Sequence, residues 1–165
     1  MTITLYYNQL AHTIMQVAHR AGQRQDDADL RAQAQLDDST SDQQLIRRLI
    51  RTGIGRLKVL LRDYITNGAE TADDKLDTAE SWVFNLSMTG DGQSLADIMH
   101  WFVAWGALKT LAPTLCIDGL EEAADENATE AEDLITDELV SLSMPVKRRR
   151  AVLKPQDFSP NITLV

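Results

Sequence analysis

The run Trp82-Val83-Phe84-Asn85-Leu86-Ser87-Met88 puts a large apolar side chain at every second position. Past Gly90-Asp91-Gly92 the chain continues Leu95-Ala96-Asp97-Ile98-Met99-His100-Trp101-Phe102-Val103-Ala104-Trp105. Successive side chains of a strand point to opposite faces, so Trp82, Phe84, Leu86 and Met88 predict a strand with one buried face that stops at the glycines. The period then changes. Ser94 and Asp97 have the spacing of a capping pair for a helix that should run to Leu111 and end before Pro113. Leu95, Ile98, Met99, Trp101, Phe102, Val103, Trp105, Leu108 and Leu111 cover most of its circumference, and a helix apolar nearly all round belongs in the middle of a core or between subunits. A competing reading makes residues 73–88 helical, because Asp74–Glu80 contains good helix formers.

Working outward, residues 4–22 read as a first helix, with Tyr7, Leu10, Ile14, Val17, Ala18 and Ala21 on one face. Residues 23–42 are rich in Asp, Gln and Ala, which predicts a loop or a weak solvent-facing helix. A second helix should start after Thr40 or Ser41, where Thr40 with Gln43, or Ser41 with Gln44, has capping-box spacing, and run to about Ile65. Its apolar face is Leu49, Ile50, Leu57, Leu60, Leu61 and Tyr64. Arg47, Arg51, Lys58 and Arg62 fall within about 60° of one another on a helical wheel. This basic stripe is either a solvated face or a dock for the acidic segment described below, and Gly53 beside the apolar face suits a close helix crossing.

Charge is segregated along the rest of the chain. No basic residue occurs between Lys109 and Lys147, carboxylates crowd Asp118–Glu138, and Lys147, Arg148, Arg149, Arg150 and Lys154 follow. Leu120–Leu142 reads as an acidic helix with Leu134, Ile135, Leu139 and Leu142 on its apolar side and a possible internal start at Asn127–Glu130. Its first half has only Ala123, Ala124 and Ala128 to bury. Pro145 ends the pattern, and Pro155 and Pro160 divide the tail into extended pieces. The expected organisation is a helical domain, 1–145, with a short strand near 82–88, and a basic then apolar C-terminal arm, 146–165. One piece of the arm should pair with the 82–88 strand and the other cross to a neighbour, since a strand needs an edge for its backbone groups. The fold class is mainly α, four or five helices with a minor β element.

At 165 residues the chain suits one core, and a net charge of −9 with a pI near 4.7 argues against general adsorption to nucleic acid or an anionic membrane. The single Cys116, between Leu115 and Ile117, reads as a small buried hydrophobe in a reducing compartment. Met1–Leu10 lacks the pattern of a secretion signal and no apolar run is long enough to span a bilayer, which predicts a soluble, cytoplasmic protein. No P-loop, dinucleotide fingerprint, paired-cysteine zinc spacing or histidine-glutamate zinc motif occurs. His12 and His19 share a helix face but stand about 10 Å apart, too far for one small ion, so neither metal nor cofactor is assigned. His100 reads as a hydrogen-bonded core or interface histidine. An enzyme would need a deep pocket joining it to a carboxylate. Glu121, Glu122, Asp125 and Glu126 read as a solvated face.

These residues favour a non-enzymatic structural or adaptor protein acting through homo-oligomers or other structural proteins. Its interface candidates are Lys147, Arg148, Arg149, Arg150, Val152, Leu153, Phe158, Ile162 and Leu164 in the arm, with Trp101 and Trp105 in the apolar helix. The alternative is a regulatory or nucleic-acid-associated module using Arg47, Arg51, Lys58 and Arg62 with Lys147–Arg150. The stretch from Trp82-Val83-Phe84-Asn85-Leu86-Ser87 into Leu95–Val103 resembles small helical proteins encoded beside capsid and tail genes in tailed bacteriophages, some of them head-to-tail connector or neck components. The likeness covers this part of the chain alone. It implies a non-enzymatic ring or adaptor protein, located in the virion.

Overall fold

The computed structural model describes residues 1–24, 28, 40–66 and 80–143. Within them the chain is mainly α: strand β1 (Thr2–Tyr6), helix α1 (Tyr7–Gln23), helix α2 (Thr40–Leu60), a 3-10 turn (Arg62–Tyr64), strand β2 (Ser81–Asn85), helix α3 (Gln93–Leu115) and helix α4 (Leu120–Ser143). The arm at 146–165, its Lys147–Arg150 run and its apolar anchors lie outside the described residues, as do most of 23–42 and the segment 67–79.

The alternating segment is a strand, as its period predicts, and 81–88 holds no helix. β2 pairs antiparallel with β1, Phe84 opposite Ile3 and Trp82 opposite Leu5, so the buried face of the ladder is entirely apolar. Beyond Asn85 the Leu86 N–H donates to the Met1 carbonyl at 2.7 Å. On the opposite edge, the Thr66 N–H donates to Asn85 O and the Ser87 N–H to Tyr64 O. The strand's partner is therefore the N-terminal segment, which corrects the expectation of a helix from residue 4. Thr2-Ile3-Thr4-Leu5-Tyr6 alternates with period 2, and that short pattern overrides the helical spacing that begins at Tyr7.

The helices bury the faces their spacing predicts, with differences at the ends. In α1, Tyr7, Leu10, Ile14 and Ala18 are buried. In α2, Leu49, Ile50 and Leu57 are joined by Ile46 and Ile54, Leu61 just past its end is buried with them, and Leu60, with Tyr64 of the 3-10 turn, stays at the edge of the core. This helix stops short of Ile65, because that residue is taken up in the bridge to Leu86. Helix α3 begins at Gln93, whose N–H is received by Asp91 Oδ1 at 3.0 Å, one residue before the expected Ser94. It also runs past Leu111: Pro113 sits in the last turn, where only a single intrahelical bond is lost before Cys116 closes the end in a left-handed conformation (φ 53°), its N–H on Ala112 O. That cap turns Cys116 outward between buried Leu115 and Ile117, so the thiol is exposed and not the buried hydrophobe expected. Helix α4 is continuous from Leu120, with no internal start at Asn127.

α3 is the centre of the packing, with α4 along its length, α2 and α1 across it, and β1 at its start. Alanines let the neighbours approach: Ala104 and Ala107 on α3 and Ala124 and Ala131 on α4 are all buried. Gly53 does the same for α2, since a Cβ there would lie 3.0 Å from Val103 Cγ1 and 3.5 Å from its Cα. Gly55, two residues further on, is the opposite case, since nothing lies within 4 Å of where its Cβ would be. Gly55→Ala should therefore stabilise the protein by up to about 1 kcal/mol through helix propensity, whereas Gly53→Leu should destabilise it by about 1–3 kcal/mol by prising α2 from α3. Paired thermal or urea melts check both signs. Equal effects would contradict this crossing.

Candidate assembly surface

α3 presents apolar side chains in every direction, and the surrounding elements do not cover them all. Leu95, Met99, Phe102, Val103 and Leu108 are buried, but Trp101 is 44% exposed. Its indole stacks on Trp105 with ring centroids 6.2 Å apart, and the His100 ring meets it edge-on at 5.9 Å. Across a groove of about 370 Å³, lined also by Ile98, Asn127 and Ala131, stands Leu134 of α4, likewise 44% exposed. Leu134 thus departs from the buried set expected of it. Ile135 and Leu139 face α3 and Leu142 packs at the edge of the core, while Leu134 lies a quarter-turn off that face, on its flank.

The rim of this groove is acidic. Glu126, Glu130, Asp133 and Asp137 are all exposed and recur at i, i+4, i+7 and i+11, so they fall within about 60° on the helical wheel. Glu130 lines the groove itself. The surface is therefore an apolar floor of stacked indoles beside a stripe of carboxylates, a pattern of buried-type residues with a polar border.

Arg47 and Arg51, half of the basic stripe, have a use other than either one expected of it. Arg51 donates from Nε and from Nη2 to Glu80 Oε1, both at 3.0 Å, and Arg47 Nε stands 3.5 Å from Glu80 Oε2, an ion pair short of hydrogen-bond geometry. The Glu80 carboxylate is fully buried, and the Arg47 guanidinium lies over the Tyr7 ring at 5.1 Å. Arg47 and Arg51 are thus internal ties, not a dock for the acidic helix. The cation that does meet α4 is Lys109 of α3, paired with Asp125. Arg62 pairs with its neighbour Asp63 in the open, and Lys58 lies partly buried on α2. Glu80 was not legible as a partner because it stands 29 residues from Arg51 with no pattern to link them.

His100 lies in a second groove, of about 500 Å³, with Asp91, Asp97, Gln9 and the Thr2–Tyr6 strand. Its Nε2 is 2.9 Å from Thr13 Oγ1, and that hydroxyl is 3.0 Å from Gln9 O. A hydroxyl has one proton, so donation to Gln9 leaves the imidazole to donate from Nε2. The bond ties α1 to α3. Asp91 and Asp97 are exposed, so the groove joins the histidine to two solvated carboxylates. His12 and His19 are exposed on α1, and among the described residues no three potential metal ligands converge. No described helix is long and apolar enough to cross a membrane. Comparison of the chain with family models, curated proteins and solved structures yields no match.

Burial pushes the His100 imidazole below its ordinary value, and the nearby Asp97 charge opposes this only in part. Unfolding therefore takes up a proton as pH falls through the free-histidine value of about 6.5, and stability declines in that window until the folded-state group is itself protonated. His100→Gln keeps a partner for Thr13 and should flatten this acid loss. Denaturant melts of both proteins between neutral and mildly acid pH measure the difference, and parallel curves would show that His100 is not the group responsible.

Proposed function

We propose that this chain is a non-enzymatic structural or adaptor protein that works by assembling, with copies of itself or with another structural protein, through the Trp101–Trp105–Leu134 face. The observation that carries this reading is the exposed indole of Trp101, stacked on the partly buried Trp105 and facing the exposed Leu134 across one groove. Burying a large apolar side chain contributes about 1.5–3 kcal/mol, and tryptophan dominates the energetics of many interfaces. Scattered exposed apolar residues such as Tyr6 and Val59 need no such explanation. The resemblance of 82–103 to phage connector and neck proteins makes a head-to-tail component of a virion the specific form of the proposal. The nucleic-acid alternative is weakened by Glu80, which engages Arg47 and Arg51, two of the four cations that the α2 stripe would add to Lys147–Arg150.

Light scattering of the full chain at several micromolar should give a mass above the monomer. Trp101→Glu combined with Leu134→Glu should weaken the association by at least about a hundredfold, the scale of losing hot-spot residues, while far-UV circular dichroism stays unchanged. A stable monomer at all concentrations would remove the homomeric form and leave an adaptor that needs a different partner.

A further inference from the structure

We infer that two copies of this chain pair about a two-fold axis passing by Trp105, the Trp101 indole of each entering a groove of the other beside Arg20 and Arg24. The inference rests on the assembly reading above and names the partner and the geometry of that face.

Trp105 belongs to two grooves. One is the groove of Trp101 and Leu134 already described. The other, also of about 370 Å³, lies between the end of α1 and the start of α4, with Val17 and Ala21 on the first helix and Leu120 and Ala123 on the second. Along α4 the two sets of lining residues are centred about nine positions apart, which at 1.5 Å per residue separates the grooves by roughly 13 Å.

The charges at the two grooves are opposite. Arg20 and Arg24 line the second groove, while Glu130 lines the first, with Glu126 one helical turn away. All four side chains are exposed, and none makes a hydrogen bond or ion pair with another described residue. Asp118 also lines the basic groove, without an ion pair to either arginine. Arg20 and Arg24 are four residues apart on α1, as Glu126 and Glu130 are on α4, so both pairs hold their charges at the same spacing of about 5–6 Å. The other cations that line or face a helix contact are engaged: Arg47 and Arg51 with Glu80, and Lys109 with Asp125.

One face of the molecule thus carries an exposed indole beside carboxylates at one end and an apolar hollow beside cations at the other. An isologous contact requires this kind of self-complementarity. A two-fold axis lying in the interface between the grooves brings each end of one copy onto the opposite end of the second, and every contact is made twice. Trp101, 44% exposed in its own subunit, then fills the hollow of the other copy, and the arginines meet the carboxylates. Each chain has a net charge of −9, so two copies repel over most of their surface and meet favourably where unpaired cations face carboxylates. The indoles supply most of the affinity. Exposed ion pairs are weak and chiefly fix the register.

The test uses the full-length protein and two charge reversals, Arg20→Glu with Arg24→Glu and Glu126→Lys with Glu130→Lys, followed by light scattering and native mass spectrometry. The unaltered chain should give the mass of two chains. Either reversal alone puts like charges together at both ends and should weaken the dimer by at least about tenfold. An equal mixture of the two variants should regain the dimer as a heterodimer, because every reversed group then meets its opposite, and added salt should weaken both this dimer and the original one. All four positions are exposed, so unchanged circular dichroism is expected of each variant, and rescue in the mixture itself requires that both are folded. A reversal that leaves the dimer intact, or two weakened variants that do not restore each other, would overturn the inference while leaving the assembly reading standing. Restored assemblies larger than two chains would overturn the two-fold arrangement. An unaltered chain that stays monomeric at every concentration would sink the inference together with the homomeric form of the assembly reading.

Discussion

A helix that is apolar on every side has to be enclosed, and α3 is that helix. Its residues Leu95, Met99, Phe102, Val103, Leu108 and Leu111 are buried toward different neighbours, so no single partner layer suffices. The sheet closes one end, α1 and α2 cross it, and α4 runs along it. Each approach depends on small residues: Gly53 against Val103, and alanines between α3 and α4. The acidic helix makes sense in these terms. It needs only a narrow apolar edge, Ala124, Ala131, Ile135 and Leu139, and the rest of its circumference is free to carry charge.

Apolar enclosure sets no unique orientation, and a buried carboxylate helps to supply it. Glu80 accepts the Arg51 fork through its side chain and the Tyr7 N–H, at 2.9 Å, through its backbone carbonyl. One residue at the start of β2 therefore fixes where α1 begins and how α2 is rotated. Stranding that charge by removing its partners is expensive in a way that a surface pair is not, which gives the joint its specificity. The bond from His100 to Thr13 ties the other side of α1 to α3.

The strand at 81–85 was legible from its strict alternation, the helix at 93–115 from an apolar run too long for a strand, and the helix at 120–143 from its narrow apolar edge on a charged surface. The N-terminal strand was harder to see: five alternating residues run straight into a helical pattern at Tyr7, and the longer pattern dominates the reading. Glu80 and its arginines were invisible for another reason. Their contact joins residues far apart in sequence, and a basic stripe looks the same whether it meets solvent or a buried acid. The exposure of Trp101 was readable because α3 has more apolar residues than a single core can hide. Its counterpart Leu134 was misplaced, since spacing alone does not tell the flank of an apolar face from its centre. Cys116 followed its neighbours' hydropathy in sequence but its backbone cap in space.

If the sector of α3 left open by its own fold is the contact face proposed above, Trp101 is covered on assembly, whereas Trp82 is already buried in the core. Oxidative footprinting of the three indoles across a dilution series tests this most directly. It predicts that Trp82 stays unmodified throughout and that Trp101 is oxidised in dilute protein and becomes protected as concentration rises. Trp101 reacting equally at every concentration, or Trp82 reacting alongside it, would contradict the claim.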